Sequence, residues 1–255
     1  MTTQTPRPLL LLVDDSPEIA IVVQRLARGA EYDVVVSPDV PDAWSCLSAK
    51  KAHLVLLDLN LPGENGAVLC RRLRGTAELS EVPVAVFSHW DRTEDILAGL
   101  AAGADFVVSK ELLCRPDEWR IRIRELLTSL DRRTGELSLS LPGVSELSLA
   151  VERRHEAINR ALRVPPLRSL NRELVDTLLE RAAVKAAWRH AHVWLLPDDR
   201  GVLRESVAKI EPQQLLDFAA AVAEQLWCVA GSAASEAFAD AVRATLTGKA
   251  DPVEP

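Results

Sequence analysis

The sequence predicts an α/β fold, a (βα)5 doubly wound parallel sheet, followed by an all-α C-terminal domain. From residue 9 to about 130, short apolar runs alternate with amphipathic stretches, the pattern of strands and helices in an open parallel sheet. The apolar runs are rich in Val and Leu without alternation, as expected for strands covered by helices on both faces. From about 150 to 247 the apolar residues recur at helical spacing, which predicts an all-helical second part.

Five strands and five helices can be placed in order. Pro17 and Pro116 suit first helical positions, and Ser16 and Asp91 can cap helices. Glycines at 29, 75 and 103 suit helix ends. The predicted strands are 9–13, 33–37, 53–58, 82–88 and 105–109. The predicted helices lie near 17–29, 40–50, 66–75, 92–102 and 116–130.

The same patterns divide the chain into an α/β domain over 1–132, a linker over 133–149, a helical domain over 150–247 and a disordered tail over 248–255. The linker repeats the fragment Glu-Leu-Ser-Leu ten residues apart, outside either periodicity. The tail is small, polar and proline-bearing. Helices of the second domain are predicted near 150–162, 169–190, 201–209 and 212–246, the last broken around Gly231.

Charge and cysteine content narrow the range of partners. The formal net charge is -7, with 14 basic and 19 acidic residues in 1–130 and 16 and 18 in 131–255. Neither part is basic, so the overall charge gives no reason to expect tight nonspecific binding to nucleic acid or anionic lipid. The N-terminal apolar run, 9–13, has only strand length, and we expect a cytoplasmic protein. No pair among the four cysteines has metal-ligand or redox spacing: Cys46, Cys70, Cys114 and Cys228.

Polar side chains follow the predicted strands where each one ends. Because the carboxyl ends of parallel strands meet at one edge of a sheet, these side chains should lie close together. Three of them are carboxylates, which repel one another, so the cluster implies a hard divalent cation, and Mg²⁺ suits oxygen ligands. The residues are Asp14 and Asp15 after the first strand, Asp58 ending the third, Ser88 ending the fourth and Lys110 following the fifth.

The strings LLLLVDDS, HLVLLDLNLPGENG, VPVAVFS and GADFVVSK resemble the receiver (CheY-like) domain of two-component response regulators over residues 8–130. The resemblance implies the flavodoxin-like strand order 2-1-3-4-5. It also implies that Asp58 accepts a phosphoryl group from the phosphohistidine of a sensor histidine kinase or phosphotransfer protein.

The remaining site residues carry over by the same resemblance. It implies that Asp14 and Asp15 hold Mg²⁺ together with Asp58 and the backbone carbonyl of Asn60. Ser88 is implied to hydrogen-bond the phosphoryl group and Lys110 to pair with it.

Two positions depart from the family pattern, and one suggests a further role. Glu111 follows the lysine where most receivers have proline, and Val107 stands where an aromatic switch residue is usual, with Phe106 one place earlier. Trp90, two residues after Ser88, is predicted to shield the phosphoryl group from water.

The C-terminal domain lacks a basic recognition helix, and we expect it to mediate protein interaction or homodimerisation, with nucleic acid an improbable partner. The alternatives are a transcriptional response regulator with an unfamiliar helical DNA-binding output, and a pseudo-receiver scaffold that is never phosphorylated. A haloacid dehalogenase-type phosphatase needs Asp-x-Asp after its first strand, whereas Asp14 and Asp15 are adjacent. We therefore expect no enzyme activity beyond the domain's own phosphoryl transfer and dephosphorylation. Two arginine groups are interpreted as solvated helix faces: Arg71, Arg72 and Arg74, and Arg120, Arg122 and Arg124.

Overall fold

The computed structural model describes residues 7–89, 92–129, 160–161, 172–189 and 212–246. The chain forms two compact units, Met1–Glu136 and Leu137–Pro255. The predicted linker at 133–149 and the predicted tail at 248–255 lie outside the described residues. Those two boundaries therefore stay predictions.

The first unit contains five parallel strands in the order β2-β1-β3-β4-β5, which confirms the predicted sheet. Three strands begin later than predicted, β3 by one residue and with Asp58 just after its end, and for β4 and β5 the reason is visible. Pro83 has no N–H for the ladder, so β4 begins at the next residue. The Asp105 carboxylate accepts the Val84 N–H at 2.9 Å, and Asp105 lies outside β5. The strands are β1 Leu9–Val13, β2 Asp33–Ser37, β3 Leu54–Leu57, β4 Val84–Ser88 and β5 Phe106–Ser109.

Helices follow the strands at the predicted places. Ser16 caps the first by accepting the Ile19 N–H at 3.2 Å, whereas the predicted cap Asp91 lies outside the described residues. Gly29 and Gly103 have φ of 80° and 101°, a conformation that glycine adopts without strain as a helix ends. The helices are α1 Pro17–Ala27, α2 Val40–Ala49, α3 Gly66–Arg74, α4 Thr93–Ala101 and α5 Pro116–Ser129, with a 3-10 helix at Lys110–Cys114.

Apolar side chains bury both faces of the sheet, as the unbroken apolar runs predicted. On one face, side chains such as Leu11 and Val55 pack with α2 and α3. On the other, Trp119 of α5 meets Phe87 edge-on at 5.9 Å between ring centroids, and its indole N–H donates to the Tyr32 hydroxyl at 3.2 Å. Because helices cover both faces of the sheet, we expect a functional site of this unit to lie at an edge of the sheet.

The second unit contains three described helices, α6 Arg172–Arg189, α7 Pro212–Ala230 and α8 Ser232–Leu246. The predicted break is confirmed, because Gly231 has φ 87° between α7 and α8. The helices predicted at 150–162 and 201–209 lie outside the described residues, except that 160 and 161 are helical. Across the described ranges, no helix combines the length and apolarity that a bilayer crossing requires. Buried side chains of this unit include Leu174, Leu178, Phe218, Val222, Leu226 and Phe238.

Candidate functional site

The carboxyl edge of the sheet brings a lysine and two carboxylates into direct contact. Asp14 follows β1, Asp58 follows β3 and Lys110 follows β5. The Lys110 Nζ lies 2.5 Å from Asp58 Oδ2 and 2.8 Å from Asp14 Oδ2. All three side chains are almost entirely buried, since the most exposed, that of Asp58, is 11% exposed. A single ammonium group therefore bridges two carboxylates from different strands.

A third carboxylate completes an acidic group beside the lysine. Oxygen atoms of Asp14, Asp15 and Asp58 lie within 4.8 Å of one another, and Asp15 is the exposed member. Asp14 Oδ1 accepts the Ser16 N–H at 2.9 Å. Asp14 Oδ2 is buried and accepts no hydrogen bond of suitable direction, although the lysine ion pair lies beside it. A buried, incompletely satisfied oxygen among hard oxygen donors fits Mg²⁺.

The protonation of this cluster follows from burial and proximity. Burial raises the pKa of Asp14, and the contact with Lys110, the hydrogen bond from the Ser16 N–H and the lysine charge only partly offset this effect. Burial also acts to lower the pKa of Lys110, but the bonds to Asp14 and Asp58 outweigh it and leave that pKa above its ordinary 10.5. The lysine is therefore a fixed positive charge at neutral pH.

Backbone contacts hold the Asp58 carboxylate in one orientation. Its Oδ1 accepts the Asn60 N–H at 2.9 Å, while Oδ2 faces the lysine. At the start of α3, a Cβ on Gly66 would lie 2.3 Å from the Asp58 carbonyl oxygen, so only glycine fits there. The Gly66 N–H donates to the Leu59 carbonyl at 3.0 Å. The loop that carries Asp58 is thus closed tightly on itself.

The other predicted residues lie at the same edge. Ser88 ends β4, is 3% exposed and pairs in register with Ser109 of β5. The Ser109 hydroxyl accepts the Glu111 N–H at 3.1 Å and begins the 3-10 helix at Lys110. With Glu111 in place of proline, this capped turn positions the lysine. Trp90, predicted to shield the phosphoryl group, lies outside the described residues.

Sequence reasoning missed Asp95 of α4. The side-chain amide of Asn60 donates to Asp95 Oδ2 at 2.6 Å, across 35 positions of sequence. Asp95 also faces Arg92 at 3.6 Å. Its only sequence signal was an acidic residue in the first turn of α4, where it complements the helix dipole.

Comparison with known proteins identifies the family that residues 10–123 resemble. The family model described as response regulator receiver domain matches residues 10–123, and no family model matches the C-terminal half. The chain is 35% identical over 133 residues to the DNA-binding response regulator MtrA of Mycolicibacterium smegmatis, an alignment covering 52% of this chain and 56% of that protein. It is 32% identical over 149 residues to the aerobic respiration control protein ArcA of Escherichia coli, covering 58% of this chain and 56% of ArcA.

Each alignment thus spans a little more than half of the curated relative's length. Among solved structures, a CheY-like response regulator receiver domain protein from Methanospirillum hungatei is similar at 20% identity and a TM-score of 0.45. That match covers 50% of this chain and 98% of the other.

Proposed function

Since residues 10–123 form a response regulator receiver domain, we propose that this chain accepts a phosphoryl group on Asp58 from the phosphohistidine of a sensor histidine kinase or phosphotransfer protein. The observation that carries the proposal is the Lys110 ammonium placed between Asp58 and Asp14, beside the exposed Asp15. A nucleophile, a fixed cation and a cluster of oxygen ligands are the parts that phosphoryl transfer needs. The proposed site of action is the cytoplasm, as expected from the sequence.

The proposed transfer is a displacement at phosphorus. A carboxylate oxygen of Asp58 forms the new bond to phosphorus while the bond to the donor imidazole nitrogen breaks, and that nitrogen keeps the bonding pair. Lys110 pairs with the phosphoryl oxygens, and the Ser88 hydroxyl donates to them. Because these groups are already ordered before reaction, each contributes without reorganisation, about 3 kcal/mol for one such partner.

The acidic cluster would hold Mg²⁺ through Asp14, Asp15, Asp58 and the Asn60 carbonyl, and the bound ion would supply positive charge to the phosphoryl oxygens. Two observations support this assignment. The donors are all oxygen, and the buried Asp14 Oδ2 faces Lys110 Nζ at 2.8 Å without a hydrogen bond of suitable direction. The hydrogen bond from the Asn60 N–H to Asp58 Oδ1 holds the loop that would supply both the Asp58 carboxylate and the Asn60 carbonyl to the ion.

The test compares wild type with Asp58→Asn after incubation with Mg²⁺ and a small phosphodonor, using intact mass. Wild type should gain one phosphoryl group, and Asp58→Asn none, because an amide is not a nucleophile for phosphorus. A wild type that gains nothing would favour the pseudo-receiver scaffold. Steady release of phosphate from a small ester would instead favour a phosphatase, which the adjacent Asp14 and Asp15 argue against.

For the output we propose transcriptional control, in place of the protein-interaction or homodimerisation role expected from the lack of a basic recognition helix. The support is the similarity to MtrA, which is described as a DNA-binding response regulator. The near balance of charge in 131–255, 16 basic and 18 acidic residues, implies that few phosphates are contacted. Gel shifts with DNA over a salt series test this: binding should weaken with salt, whereas a lack of binding at low salt would return the output to protein interaction.

A further inference from the structure

A side-chain hydrogen bond joins the loop that carries Asp58 to α4. The Asn60 amide nitrogen donates to Asp95 Oδ2 at 2.6 Å, and the nitrogen must face Asp95 because a carboxylate only accepts. The backbone N–H of the same asparagine donates to Asp58 Oδ1 at 2.9 Å. Asn60 therefore contacts the nucleophile with its main chain and α4 with its side chain.

Two further contacts limit the freedom of this attachment. Asp95 is 24% exposed at its side chain and faces Arg92 at 3.6 Å, so the acceptor is held from its own helix. Four residues later, a Cβ on Gly99 would lie 2.2 Å from Val86 Cγ2 and 3.2 Å from Leu59 Cδ1. The first turns of α4 are thus packed against β4 and against the residue between Asp58 and Asn60. A shift of α4 would have to move this loop.

We propose that Asp95 is a positioning residue for phosphoryl transfer at Asp58, acting through the Asn60 side chain. The inference rests on the proposed function and deepens it. By holding the amide, Asp95 fixes the Asn60 backbone, and with it the N–H that orients the Asp58 carboxylate. The same contact connects the state of the acceptor to the position of α4, because a contact that couples two sites acts in both directions.

The test uses the full chain with Asp95→Ala, Asp95→Asn, Asn60→Ala and the double variant Asn60→Ala/Asp95→Ala. Glu94→Ala is the matched control, because Glu94 is an exposed carboxylate in the same turn of α4. Rates of phosphoryl gain from a small phosphodonor should fall about threefold to tenfold in Asp95→Ala, within the lower part of the range expected for two groups in direct contact. Glu94→Ala should remain near wild type, and Asp95→Asn, which retains an acceptor oxygen, should recover part of the rate.

A purely structural role for Asp95 would not make the effects of the Asn60 and Asp95 substitutions on the rate depend on each other. Removing Asp95 should have no further effect on the rate in the Asn60→Ala background, and Asp95→Ala should be less stable to unfolding than Glu94→Ala by only about 1 kcal/mol, the value of one hydrogen bond. Amide hydrogen exchange without phosphodonor should be faster over residues 58–62 in Asp95→Ala than in Glu94→Ala. Equal exchange in these two variants, or additive effects in the double variant, would overturn the inference. If wild type gains no phosphoryl group, the proposed function fails and the exchange comparison alone decides the inference.

Discussion

At the scale of single residues, the buried Lys110 allows Asp14 and Asp58 to lie close together at the carboxyl edge of the sheet. Lys110 Nζ contacts Asp58 and Asp14, and each of the three side chains is at most 11% exposed. Without it, two carboxylates from neighbouring strands would face each other with little solvent to screen them. Desolvation makes such a pair costly, so the lysine stabilises the fold, apart from its proposed role in transfer.

Lys110→Ala should therefore lower the free energy of unfolding in Mg²⁺-free buffer by about 3 kcal/mol, since removing one partner leaves buried charge uncompensated. Adding Asp58→Asn to that variant should restore part of the loss, because only one buried carboxylate then remains charged there. Urea unfolding of the single and double variants measures both effects. A loss within about 0.5 kcal/mol, the size of an ordinary surface change, would contradict the prediction.

The buried Tyr32 hydroxyl predicts a pH dependence. Burial raises the pKa of Tyr32 above its ordinary 10.0, more than the hydrogen bond from Trp119 lowers it. The unfolded chain then releases this proton at lower pH than the folded domain does. The contribution to stability is present below about pH 10 and is lost as pH rises further. The difference in unfolding free energy between wild type and Tyr32→Phe should be constant from pH 7 to 9 and change above about pH 10. A constant difference up to about pH 11 would exclude the effect.

At the scale of elements, one arginine joins α3 to the segments that precede β4 and β5. Arg74 donates to the carbonyls of Gly103, Ser80 and Val82 at 2.7 to 2.9 Å and to the Asp105 carboxylate at 2.6 Å. The interpretation of Arg74 as part of a solvated face was therefore wrong, and so was that of Arg122, which is 6% exposed. Helical periodicity shows which residues share a face, but not which long side chains turn back over the neighbouring loops.

Arg74→Ala should lower the free energy of unfolding by about 2 to 3 kcal/mol, because it removes hydrogen bonds to a charged group and leaves carbonyl groups without them. Arg71→Ala is the matched control, since Arg71 is exposed one turn earlier on the same helix. The control should change stability by about 0.5 kcal/mol or less. Equal effects in the two variants would show that the contacts of Arg74 contribute nothing.

The sequence predicted the features that depend on neighbouring residues and missed those that depend on contacts between distant positions. Strand ends, the break at Gly231 and the convergence on Asp58 depend on local pattern and on the rule that parallel strands end together. The contact between Asn60 and Asp95 joins positions 35 apart through side chains, and no periodicity indicates it. The starts of β4 and β5 were missed because they depend on Pro83 and on the Asp105 side chain, not on apolar content.

At the scale of the whole molecule, the two compact units suggest that the receiver domain folds without the second unit. A fragment ending at residue 136 should therefore gain a phosphoryl group on Asp58 at a rate close to that of the full chain. Intact mass over time, with the Asp58→Asn fragment as control, measures this. A fragment that is folded by circular dichroism but reacts about tenfold more slowly would show that the second unit contributes to the site.

The buried arginine of α5 also bears on how copies of the chain meet. β5 is an edge strand, and the Arg122 guanidinium donates to its Val107 carbonyl at 3.2 Å while facing Glu125 at 3.5 Å. An incoming strand would find that acceptor already taken and a cation in its path. A charged side chain bonded to an edge strand disfavours its pairing with a strand of another molecule. We therefore expect this edge of the domain to resist strand pairing between copies of the chain.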